Sequence, residues 1–209
     1  MRKVLLPILL VCTLFAQAQK IVDTIQYKML IGFSPLAMIQ DDNVLMANGE
    51  YRLTSKLALA VDAGYIFYSS YYTSVQNASG FIFRPAIRGY MNERNNFYIQ
   101  GQAFYNSATY LVHDWLNWDV ENGVPAYQEM TDFRYRKNVV GGNFMIGTIQ
   151  PIFKRNGYVD LYMGFGLRYK KSHLVNEPRS TYRRPSFITT DDRTLPSLPM
   201  GIKFMFVIQ

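Results

Sequence analysis

Hydrophobic and polar residues alternate with a period of two through most of the chain, a pattern that predicts strands. It is cleanest from Val159 to Lys170. Val159, Leu161, Met163, Phe165, Leu167 and Tyr169 take one face there; Asp160, Tyr162, Gly164, Gly166, Arg168 and Lys170 take the other. Met200, Ile202, Phe204, Phe206 and Ile208 alternate with Gly201, Lys203, Met205, Val207 and Gln209. Tyr27–Ser34, Leu57–Phe67, Phe81–Met91 and Phe97–Asn106 divide in the same way. Val44–Leu53 is less regular and puts Asn48, Glu50 and Arg52 together. Phe133–Ile152 contains Gly141-Gly142, where a bulge is expected. These segments make eight strands, each near the roughly 9–11 residues that a tilted membrane-crossing strand needs.

The connections alternate in length. Thr54-Ser55-Lys56, Asn92–Asn96 and Phe153–Tyr158 are short and carry turn residues. Ser69–Ser79, His113–Asp132 and Lys171–Pro196 are long, whereas Gln40–Asn43 is short. The N-terminus follows a different rule. Arg2 and Lys3 precede an apolar run from Val4 to Ala16, and Ala16-Gln17-Ala18 has the small-x-small form of a cleavage site. The expected organisation is a signal peptide over residues 1–18, a periplasmic segment over 19–26, and one strand domain over 27–209. Cys12 is the only cysteine and leaves with the signal, which excludes disulfide and zinc-ribbon scaffolds. The net charge of +7 falls to +5 when Arg2 and Lys3 leave. Export argues against nucleic acid as a partner.

Charged residues are only 18% and aromatic residues 15%, with 16 Tyr and 14 Phe, a balance that suits a surface meeting lipid headgroups. Alternation alone does not say which face is outside. A small, mixed-charge polar face suits a narrow lumen. Aromatics near strand ends (Tyr27, Tyr51, Tyr65, Phe67, Tyr68, Phe97, Tyr105, Tyr110, Phe133, Tyr158 and Tyr169) suit the girdles of an outer-membrane barrel. The expectation is an all-β, eight-stranded antiparallel up-and-down transmembrane β-barrel, its long loops extracellular. A secreted soluble barrel or sandwich is the competing arrangement.

The chain resembles the small eight-stranded outer-membrane barrels of the OmpA/OmpX type over residues 27–209. The distributed patterns Gly164-Phe165-Gly166-Leu167-Arg168-Tyr169 and Gly201-Ile202-Lys203-Phe204-Met205-Phe206 carry the likeness. It departs at the end, where Phe206 is followed by Val207-Ile208-Gln209 although such barrels often finish on an aromatic residue. The expectation is of the barrel alone, without a peptidoglycan-binding domain. The resemblance implies location in a bacterial outer membrane and an architecture rather than an activity.

Candidate chemistry falls in three places. Lys28, Arg52, Arg84, Arg88, Arg168 and Lys203 share the inferred lumen with Glu50, Asp62 and Asp160. A barrel this narrow is filled by side chains, so these charges are expected to form a salt-bridged plug. His113 and His173 lie near the long-loop rim; Ser107 and Asp114 accompany one and Ser172 the other. They keep open an enzyme acting on outer-leaflet lipid A as an acylase or deacylase, although no His-x-Ser spacing of the deacylase kind is present. The long connections differ in charge. Asp114, Asp119, Glu121, Glu129 and Asp132 lie beside Trp115 and Trp118 in one. The other holds Lys170, Lys171, Arg179, Arg183, Arg184 and Arg193 against Glu177, Asp191 and Asp192. The two are expected to dock, and Arg179, Arg183, Arg184 and Arg193 to bind an anionic surface such as lipopolysaccharide. The expected function is non-enzymatic, envelope-structural or surface-interacting, without cofactor or metal. Its partners would be outer-membrane lipid, lipopolysaccharide and an extracellular or envelope protein. The alternatives are a lipid A-modifying enzyme and a small gated porin.

Overall fold

A computed structural model of the chain describes residues 27–39, 42–69, 74–121, 124–152, 156–175 and 192–208. The expected signal peptide and N-terminal segment, with Arg179, Arg183 and Arg184, lie outside the described residues. The described chain is all-β apart from a 3₁₀ turn over Pro35–Ile39. Its strands are β1 (Met29–Phe33), β2 (Asp42–Arg52), β3 (Leu57–Ser69), β4 (Val75–Tyr90), β5 (Phe97–Trp118), β6 (Tyr127–Ile152), β7 (Gly157–Val175), β8 (Arg193–Ser197) and β9 (Met200–Ile208).

All pairings between these strands are antiparallel, and the hydrogen bonding closes into a ring. The order runs β6-β5-β4-β3-β2-β1-β9-β7, and β7 returns to β6. β8 and β9 are two halves of one last strand. Both pair with β7, with Ser197 opposite Gly166 and Met200 opposite Met163. Pro199 has no N–H to give the ladder, and the break falls at Leu198-Pro199. The eight expected strands are present, and β8 adds a segment largely within the expected connection Lys171–Pro196.

Local chemistry sets the short turns. Thr54 Oγ1 accepts from Lys56 N at 3.2 Å and Leu57 N at 3.0 Å, while Asn92 Oδ1 accepts from Asn96 N and Phe97 N, both at 3.1 Å. These side chains stand in for backbone turn bonds. Asn95 takes a left-handed conformation with φ of 52°, which asparagine tolerates better than most residues.

Several expectations change. Gly141-Gly142 forms no bulge, because β6 pairs with β5 and β7 without a shift there. Gly141 instead leaves room for Phe104, whose Cζ would lie 2.6 Å from an added Cβ. Most of the expected connection His113–Asp132 is hairpin. β5 runs to Trp118, β6 begins at Tyr127, and both tryptophans lie in β5. Likewise β4 begins at Val75 and β7 continues to Val175.

Burial follows the alternation. Ala58, Ala60, Asp62 and Ile66 of β3 face the interior of the ring, whereas Leu59, Val61, Tyr65 and Phe67 face outward. Two apolar clusters fill the ring at different levels. Tyr27, Leu30, Ala58, Tyr90, Tyr98, Ile149, Tyr158 and Met205 lie toward the short turns. Val44, Met46, Ile66, Ile82, Tyr110, Val112, Leu116 and Phe133 lie toward the other end, where Ala37 of the 3₁₀ turn joins them. Tyr27, Tyr110, Phe133 and Tyr158 therefore belong to the interior, against the expectation of an outer girdle. Tyr51, Tyr65, Phe67, Tyr68, Phe97, Tyr105 and Tyr169 are exposed on the outer face.

Candidate functional site

Polar side chains form three tiers inside the ring. The tier nearest the short turns centres on Arg88 of β4. Its Nε donates to Gln100 Oε1 at 2.8 Å, Nη1 to Glu50 Oε2 at 2.6 Å, and Nη2 to Asp160 Oδ2 at 3.0 Å. The guanidinium also lies 3.8 Å from the Tyr98 ring centroid. Glu50 Oε1 accepts from the hydroxyls of Tyr27 at 2.7 Å and Tyr90 at 2.5 Å, and Tyr98 donates to Asp160 Oδ1 at 2.5 Å. Arg52 sits 4.1 Å from both the Tyr27 and Tyr90 ring centroids, with Nε 3.8 Å from Glu50. It also donates to the carbonyl of Asn95 at 3.2 Å, tying the tier to the turn below. Two carboxylates thus face two guanidinium groups, so the tier is neutral as a whole.

In the second tier Lys203 of β9 reaches Asp62 of β3 at 2.6 Å. Asp62 also accepts from Asn48 at 2.7 Å and Gln102 at 3.4 Å, and Ser34 donates to Asn48 at 2.8 Å. The third tier joins Lys137 of β6 to Asp42 of β2 at 2.9 Å. Tyr110 at 3.0 Å and Ser69 at 2.7 Å complete the acceptance by Asp42. Away from water such pairs are held only if their remaining polar atoms are also satisfied. Both oxygens of Glu50, Asp160 and Asp62 accept hydrogen bonds, so the network has the form of a brace across the ring.

Of the residues expected in the lumen, Glu50, Arg52, Asp62, Arg88, Asp160 and Lys203 are buried there. Arg84 is half-buried opposite Asp62, with Nη1 4.0 Å from Met46 Sδ. Two assignments require correction. Arg168 is exposed although it shares the phase of Asp160 and the buried Lys170, opposite Gly141, and no ion pair holds it among the described residues. Lys28 is also exposed, 5.9 Å over the Tyr51 ring, because it precedes β1 and the alternation starts after it. Sequence reasoning missed Asp42 and Lys137. Lys137 lies in phase with Met145 on β6, which is the signal that could have found it.

At the far end of the hairpins, His113 Nδ1 lies 2.6 Å from Asp132 Oδ1, and both side chains are about half exposed. Gln76 donates to the same carboxylate oxygen at 3.3 Å. Among the described residues no serine or threonine hydroxyl is bonded to His113, while Ser74 bonds Asp114 instead at 3.4 Å. His173 stands opposite Arg136. Arg193 is half-buried at the start of β8, opposite Lys170, whose side chain is buried. Most of the basic connection, and with it the expected docking on the acidic hairpin end, lies outside the described residues. No group of three or more His, Cys, Asp or Glu suited to a metal occurs among the described residues. Compared with protein families, curated proteins and solved structures, the chain matches none.

Proposed function

We propose that the chain is a bacterial outer-membrane β-barrel without enzymatic activity, serving an envelope-structural or surface-interaction role. The observation that carries this reading is inversion. Charged groups brace the ring's interior between its apolar clusters, while large apolar side chains such as Phe81, Phe83, Ile87, Met163, Phe165 and Leu167 are exposed on its outside. In water that outer face would be a liability far larger than an ordinary apolar patch. In lipid it is the face a barrel requires, and ring closure leaves no open strand edge. The saturated tiers favour a plugged interior over a conducting one, so function falls to the extended hairpins and connections. Arg179, Arg183, Arg184 and Arg193 are the groups proposed there to meet lipopolysaccharide or an envelope partner.

The test begins with the chain lacking residues 1–18. It should require detergent or lipid, migrate differently on SDS gels before and after boiling, and show no stepwise conductance in planar bilayers. A chain that is soluble and monomeric without detergent would overturn the membrane reading. Open-channel currents would favour the porin, and loss of acyl chains from added lipid A would favour the enzyme. Replacing Arg179, Arg183, Arg184 and Arg193 together by Ser should leave folding intact and weaken lipopolysaccharide binding.

A further inference from the structure

The outer face of β4–β7 changes character over a short distance. Phe83, Tyr105, Val140 and Tyr169 are neighbours in one row across these strands. The next row outward is Phe81, Ser107, Asn138 and Lys171, followed by Ser79, Thr109, Arg136 and His173, and then by Asn77, Leu111, Arg134 and Val175. An apolar and aromatic surface thus becomes polar and cationic. Asn77, Ser79, Thr109, Leu111, Arg134 and Arg136 line a groove of about 360 Å³ at this level.

Among the described residues these cations form no ion pair, and Asp192 accepts from the N–H of Ser172, next to Lys171 in the chain, at 3.1 Å. Arg136 donates to Thr109 Oγ1 at 3.3 Å, its one side-chain bond among the described residues. Arg134 and Lys171 are exposed without an ion pair among those residues. The acidic residue one row further out, Asp132, already holds His113. Arg134 and Arg136, side by side without an ion pair among the described residues, suit an anion. Arginine pairs suit phosphate oxygens because each guanidinium can donate twice in one plane.

Position selects the source of that phosphate. Successive outward rows are two residues apart, roughly 7 Å along a strand and about 5 Å along the membrane normal at a tilt near 40°. With the Tyr105–Tyr169 row at the hydrocarbon edge, Lys171 lies about 5 Å, Arg136 about 10 Å and Arg134 about 15 Å beyond it, so Arg134 reaches the polar layer only with its side chain folded back. The polar layer of a leaflet extends roughly 5–8 Å beyond its hydrocarbon, and long basic side chains can bend within it. Resting on the membrane reading above, we infer that this collar binds the phosphate groups of a lipid in the surrounding outer leaflet, with Arg134, Arg136 and Lys171 as contacts.

The test uses the protein lacking residues 1–18, refolded in neutral detergent. Native mass spectrometry measures binding of diphosphorylated lipid A and of the same lipid after enzymatic dephosphorylation. The parent should prefer the phosphorylated form about tenfold or more, and less so at high salt. Arg134→Gln with Arg136→Gln and Lys171→Gln should abolish that preference while keeping the heat-dependent gel shift. Arg134→Lys with Arg136→Lys should restore part of it. Equal parental binding of both lipids overturns the inference. So does loss of preference in the loop variant lacking Arg179, Arg183, Arg184 and Arg193 with none in the collar variant. Competition by millimolar inorganic phosphate would make this a free-phosphate site and likewise overturn it. If the collar variant misfolds, the parent's discrimination between the two lipids still decides. Failure of the parent to enter detergent micelles or vesicles would instead strike the membrane reading itself.

Discussion

Replacing Arg88 by Met tests the brace most directly. The guanidinium is 2% exposed and bridges Glu50 and Asp160, which come from strands three places apart around the ring. Methionine keeps much of the stem's volume and removes the charge, leaving Glu50 and Asp160 facing a gap. Breaking a buried pair from one side costs about 3–5 kcal/mol, mostly through the charge left behind. With a urea slope of about 2 kcal/mol/M, that loss moves the unfolding midpoint down by roughly 1.5–2.5 M. The assay is urea titration in lipid vesicles, read by the mobility of unboiled samples. A companion variant sharpens it: Asp160→Asn added to Arg88→Met leaves Glu50 with Arg52 and no unpaired ion in that cluster. This double variant should recover at least half of the loss, because the charge left behind carries most of the cost. A midpoint for Arg88→Met within 0.3 M of the parent, about 0.6 kcal/mol at that slope, would refute the reasoning. A double variant weaker than the single one would refute it too.

Further outcomes follow from other contacts. Phe165→Arg, on the exposed outer face, should destabilise the protein by about 2–4 kcal/mol in vesicles if that face meets lipid; a neutral effect in vesicle unfolding would count against insertion. Tyr98→Phe removes the 2.5 Å bond to Asp160 and should cost about 1.5–3 kcal/mol in the same titration, as expected for a bond to a charged group. Gly147→Val places a side chain against the Tyr98 ring, and overpacking there should cost about 1–3 kcal/mol, measured as a lower urea midpoint. His113→Ala should leave that midpoint within about 0.5 kcal/mol, because its pair with Asp132 is exposed.

Most of the ring was legible because alternation is a local property. Asp62 between Val61 and Ala63, or Arg88 between Ile87 and Gly89, already implied an inward charge. Parity also held information that proximity to strand ends concealed. Tyr110 is in phase with Tyr98, Gln100 and Gln102, and Phe133 with Tyr135 and Lys137, so their interior positions followed from the same rule. Tyr27 was not readable in this way, since it lies before β1 and turns inward out of register with Leu30. The hairpin ends were hidden for a different reason. Past the Tyr105 row the outer face holds Ser107, Thr109 and His113 while the inner face carries Ala108, Val112 and Leu116, so the sense of the alternation reverses and the strand no longer reads as a continuation. Pairing partners lay beyond sequence altogether. Nothing local joins Asp42 to Lys137, which meet only because the ring closes.

That closure has a kinetic consequence. The braces join residues separated by 72 positions for Arg88 and Asp160, 95 for Lys137 and Asp42, and 141 for Lys203 and Asp62. Contacts so distant form late, after the loop entropy of nearly the whole chain has been overcome. Until β9 docks between β1 and β7, Asp62 lacks its cation, and a half-assembled wall would expose that carboxylate to any apolar surroundings. On the proposed membrane reading, strand-by-strand entry into a bilayer is therefore disfavoured, and hairpins should remain wet on their charged side until the last strand arrives. A chain ending before Met200 should accumulate as an uninserted, protease-sensitive species rather than as a smaller stable ring.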